Sequence, residues 1–131
     1  ANTDIAYGSF EIPHDYKEGT DLEVHIHWSP SSTNTGNCVF NFDYTVANMA
    51  TGVFGPAAQK TLTAAGSGVA LQHQYSTGNT AIDGDDIKIG DVIVFALSRP
   101  AGDAFTGDAF LHSIGLHYEC DTLGSRARSQ K

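Results

Sequence analysis

Positive charge is scarce in this chain: seven Lys and Arg stand against 15 Asp and Glu, for a formal net charge of −8. An acidic body repels phosphate backbones, so nucleic acid is not an expected partner. All of the acidic side chains fall within residues 1–121, whereas Arg126, Arg128 and Lys131 close the chain with no acid among residues 122–131. The expected organisation is one domain over 1–121, followed by an extended basic tail, 122–131, able to clamp onto an acidic neighbour. Cysteine is almost missing. Cys38 and Cys120 are too few for a disulfide scaffold, and each falls in the apolar register of its segment, which predicts buried free thiols. No run of 18 apolar residues occurs and no signal-peptide pattern opens the chain, so no membrane partner is expected. A helical period of convincing length is also missing, which excludes an α or α/β architecture.

What the sequence does contain is period-two alternation punctuated by 14 glycines. In Asp-Leu-Glu-Val-His-Ile-His-Trp, residues 21–28, the apolar Leu22, Val24, Ile26 and Trp28 share one face of an extended chain, and Asp21, Glu23, His25 and His27 share the other. Residues 37–47 alternate more clearly still, with Cys38, Phe40, Phe42, Tyr44 and Val46 inward. Weaker strands are expected over 5–12, 58–64 and 69–76, the last two as a hairpin around Gly66-Ser67-Gly68. The apolar run 92–97 predicts a strand buried on both sides. A final strand over 109–120 is expected to turn Phe110, His112, Ile114, Leu116, Tyr118 and Cys120 inward. About eight strands at this spacing predict an all-β fold, an antiparallel β-sandwich with jelly-roll-like wiring.

Candidate chemistry centres on His25 and His27, whose imidazoles should lie about two strand rises, roughly 7 Å, apart on the polar side of their strand. Gly19 followed by His25-Ile26-His27 resembles the opening of the first cupin motif, in which such histidines hold a metal. The resemblance stops there: Trp28, Ser29, Pro30 and Ser31 supply no Glu, and no His follows Pro100-Ala101-Gly102. Two ligands are fewer than the three or four that a functional metal site usually has, so no catalytic residue and no cofactor are expected, with His25 and His27 the only metal candidates. Gathering of such histidines from three subunits on one ion is a further option. His73 reads as a hydrogen-bonded, partly buried residue rather than a ligand. No G-x-S-x-G elbow is present, and Asp83-Gly84-Asp85-Asp86 lacks the spacing of a calcium loop and reads as a polar turn. Trp28, Tyr16 and Tyr7 are conceivable sugar-stacking residues, although Trp28 falls in the inward row.

Three segments, GSFEIPHDYKEGTDLEVHIHWSP, the Ile89-Gly90-Asp91 step into VIVFALSRP, and FLHSIGLHYECDTLGSRARSQK, are spread along the chain from residue 8 to residue 131. As a set they resemble small all-β virion proteins of tailed bacteriophages. That resemblance implies a jelly-roll-like sandwich, assembled as a homotrimer and located on the virion as a capsid decoration, or cement, protein bound to the major capsid protein. The resemblance includes relatives with further residues ahead of the GSFEIP-like segment, which leaves open whether a capsid-anchoring arm belongs before Ala1. The resemblance transfers no catalytic residue, and the protein is expected not to be an enzyme. Interface candidates are His25, His27, Phe105, Arg126, Arg128 and Lys131. The alternative is a receptor- or glycan-binding module of a tail fibre, and a cupin-like metal-binding protein is a more distant one.

Overall fold

The computed structural model describes residues 4–76 and 81–125. Arg126, Arg128 and Lys131, and the turn expected at Thr77-Gly78-Asn79-Thr80, lie outside the described residues.

Eight strands form: β1 (Ile5–Glu11), β2 (Leu22–Pro30), β3 (Asn37–Ala47), β4 (Ala58–Ala65), β5 (Gln74–Tyr75), β6 (Ala81–Ile82), β7 (Val92–Ser98) and β8 (Ala109–His117). One sheet has the order β1-β7-β3-β4, with every pairing antiparallel. In the other, β8 runs along one edge of β2 from Glu23 to Pro30, while β6 pairs at Leu22 and Glu23 and β5 at His27 and Trp28 on the opposite edge. The result is the all-β antiparallel sandwich that the alternation predicts. Its wiring places the β3–β4 hairpin within a single sheet.

The alternating rows meet as expected. Leu22, Val24, Ile26 and Trp28 of β2 face Cys38, Phe40 and Phe42 of β3 across the sandwich, and all are buried. Trp28 meets the rings of Phe40 and Phe105 edge-on at centroid distances of 5.8 and 5.6 Å. Such aromatic contacts bury large areas and fix the spacing between layers. A second anchor comes from Arg99, which donates to both carboxylate oxygens of Asp103 and to the carbonyls of Phe105 and Gly107, while Asp103 also accepts the Val39 amide. The final loop is thereby tied to the end of β7.

Four expectations need correction. The segment 69–76 is not a strand paired with β4. Leu71 takes a left-handed φ of 62°, incompatible with an extended strand, and only Gln74 and Tyr75 enter a ladder, with β2. β7 is buried on one side only among the described residues: Ile93, Phe95 and Leu97 enter the core, whereas Val94, on the other side, is 38% exposed. Cys120 is exposed, beyond the end of β8, so only Cys38 is a buried thiol. In β8, His112 is an extra residue opposite the His27–Trp28 step, and this bulge switches the inward row from Ala109 before it to Ile114 and Leu116 after it. A one-residue insertion reverses side-chain parity, which is why Phe110 turns outward, 45% exposed, and His112 leaves the inward row.

Candidate functional site

Outward-pointing residues of the β2 sheet bring five of the six histidines together. β2 contributes His25 and His27, two residues apart and therefore on one face. His117, at the end of β8, stands opposite Glu23. His73 enters just ahead of β5, and the bulge delivers His112. The rings form a continuous row: His117 to His25 at 4.3 Å between centroids, His25 to His27 at 4.9 Å, His27 to His73 at 5.0 Å and His73 to His112 at 6.4 Å.

Hydrogen bonds link the middle of this row. Nε2 of His25 lies 3.1 Å from Nε2 of His27, and Nδ1 of His27 lies 2.8 Å from Nε2 of His73. His112 Nε2 is 2.8 Å from the Ser29 hydroxyl. A neutral imidazole carries one N–H and one lone pair, so the three linked rings need protons pointing the same way along the chain. Whichever direction they take, Nδ1 of His25 is buried with no partner among the described residues. Burial lowers the His25 pKa below the ordinary imidazole value, and the neighbouring His117 and His27 lower it further, against a smaller opposing effect of Glu23. The ring therefore favours the neutral form, the form that binds metals.

Glu23, His25, His27, Tyr75, Ser76 and His117 line a cleft of about 380 Å³. The close packing of His25 depends on Gly115, its ladder partner, because a Cβ at 115 would overlap the His25 ring. Among the described residues no set of three His, Cys, Asp or Glu side chains is placed to hold a metal ion. The cluster offers pairs of nitrogens, on the outside of the sandwich.

Of the expected site residues, the structure brings His25 and His27 together on the polar side of β2. It separates Phe105 from them and buries it, 3% exposed, under Arg99, whose guanidinium lies 5.4 Å from the ring centroid. Phe105 thus belongs to the core of the single chain. Trp28 and Tyr16 are likewise buried, which removes them as sugar-stacking platforms, whereas Tyr7 is 77% exposed. His73 is hydrogen-bonded as expected but exposed, not partly buried. The Asp83–Asp86 stretch is a turn, in which the Asp83 carboxylate accepts the Asp85 amide. The joining of His73, His112 and His117 to the β2 pair was missed. His117 alone carried a signal, in falling on the row of β8 opposite Leu116.

No protein-family model, curated protein or solved structure matches this chain.

Proposed function

We propose that this chain is a non-enzymatic structural protein of a tailed-bacteriophage virion, a homotrimeric capsid decoration or cement protein of jelly-roll-like build. The observation that carries the reading is the placement of its chemistry: the imidazole row lies on the outer surface of a sheet, while the sandwich interior is filled by Trp28, Phe40, Phe42 and Phe105. A packed interior with polar side chains displayed outward suits docking rather than turnover. The three segments that resemble virion proteins support the same reading. Further docking surface comes from the loop between β3 and β4, where Met49, Val53 and Phe54 are exposed together. The basic end of the chain, with Arg126, Arg128 and Lys131, complements an acidic surface such as the body of a neighbouring subunit. The major capsid protein is the partner this role requires.

Quantifying the protein in purified particles tests the proposal. Copy number matching the threefold positions of the capsid is expected, with a trimer in solution by light scattering. A strictly monomeric chain, absent from particles, would overturn it.

The cleft favours one second reading, a glycan-binding module of a tail fibre. Tyr75 is 62% exposed and stands 6.5 Å from the His27 ring, so it presents an aromatic face beside hydrogen-bonding nitrogens. Low copy number in the particle, with oligosaccharide binding lost on Tyr75→Ala, would favour that role.

A further inference from the structure

We propose that His25 and His27 chelate one divalent transition-metal ion of the zinc, nickel or copper class through their Nε2 atoms. The proposal goes beyond the virion role and holds or fails independently of it.

The geometry rests on the β2 backbone. Residues two apart on a strand project in parallel, and here the two rings are turned so that their Nε2 atoms approach to 3.1 Å. With metal–nitrogen bonds of about 2.0–2.1 Å, this separation subtends an angle of about 100° at the ion, between the values for octahedral and tetrahedral sites. In the metal-free chain a single proton must lie between the two nitrogens; on metal binding that proton moves to Nδ1 of the ring that carried it, and the ion uses the lone pairs of both Nε2 atoms.

The neighbouring ring fits this arrangement. Coordination through Nε2 leaves the proton of His27 on Nδ1, where His73 Nε2 accepts it at 2.8 Å. A hydrogen-bond acceptor on the second nitrogen is the usual support for a metal-bound imidazole, since it fixes tautomer and ring plane. His73 is accordingly a positioning residue. Gly115 has a similar role, because the absence of a side chain there lets the His25 ring lie against β8. Two chain donors leave the remaining coordination positions to water, on the open side of the cleft. Imidazole pairs select the borderline metals over Mg²⁺ and Ca²⁺, which prefer oxygen.

The test uses the full chain, freed of metal by chelator and dialysis. Calorimetric titration with ZnCl₂ or NiCl₂ should show one saturable site per chain, and MgCl₂ none. His25→Ala and His27→Ala should each weaken binding at least tenfold, and His73→Ala should weaken it about tenfold. His14→Ala should leave it unchanged, His14 being bonded elsewhere, to Ser125. Should a His25 or His27 variant fail to fold, imidazole ¹⁵N spectra of the native chain decide: Zn²⁺ should shift Nε2 of His25 and His27 together and leave His14 unmoved. No saturable binding, native affinity in both alanine variants, or a spectrum in which neither Nε2 moves would overturn the site.

Discussion

His25 stands directly opposite Gly115 in the β2–β8 ladder, and its imidazole fills the space that a side chain at 115 would occupy. The opposing position therefore governs the whole row of rings. Gly115→Ala should push the His25 ring away from His27 while leaving both ladders intact, because the clash is with the far end of a side chain and not with backbone. Stability should change by no more than about 1 kcal/mol, as for most single substitutions outside the core. Histidine side-chain NMR should nevertheless show that the His25–His27 contact is gone. An unchanged contact would mean that the row does not depend on residue 115.

Trp28 is fully buried between Phe40 and Phe105, yet its indole Nε1 has no hydrogen-bond partner among the described residues. Trp28→Ala should cost about 3–5 kcal/mol through the cavity it leaves. Trp28→Phe should cost markedly less, since it keeps a ring against Phe40 and Phe105 and removes the unpaired donor. Urea denaturation of the two variants makes the comparison; equal losses would show that Nε1 is satisfied.

The Arg99–Asp103 pair is nearly enclosed, with side-chain exposures of 12% and 4% and a 2.7 Å contact. Hydrogen bonding from Arg99, aided by the Val39 amide, holds the Asp103 pKa below its ordinary 3.8 despite the opposing effect of burial. A carboxylate depressed in the folded state contributes stability that is complete above its unfolded pKa and lost as pH falls through the folded value. Unfolding free energy should therefore drop as pH is lowered from roughly 5 towards 2, and less steeply in Asp103→Asn. The Asn variant should already be weaker at pH 7 by about 3–5 kcal/mol, because Arg99 keeps a buried charge without its counter-ion.

The two cysteines should react very differently. Cys38 is fully buried and its thiol is pushed up to about 12, chiefly by desolvation, whereas Cys120 is exposed. The thiolate is the reactive form, so a disulfide reagent at pH 8 should label one thiol per native chain, and the second only after unfolding. Rapid labelling of both would place Cys38 outside the core.

The fold was legible wherever alternation alone decides the matter. Rows such as Cys38, Phe40 and Phe42, or Leu22 to Trp28, have one face to bury and no competing register. Legibility failed where a single residue resets parity. The His112 bulge leaves no mark in composition, and reading through it assigned Phe110 and His112 to the wrong side. It failed also for Tyr16, which lies in a segment with the look of a polar turn but is buried, its hydroxyl donating to the Thr20 carbonyl. The histidine row was half visible: the spacing of His25 and His27 is a property of one strand. Their neighbours His73, His112 and His117 arrive from distant parts of the chain, and only ladder pairing brings them together.

The central claim is that this sandwich works by docking its outer surfaces onto a particle. A density map of the intact virion is its most direct test. The account predicts three copies of the domain around each capsid threefold position, seated on the major capsid protein. Density for the domain confined to a fibre tip, or none at all, would contradict it.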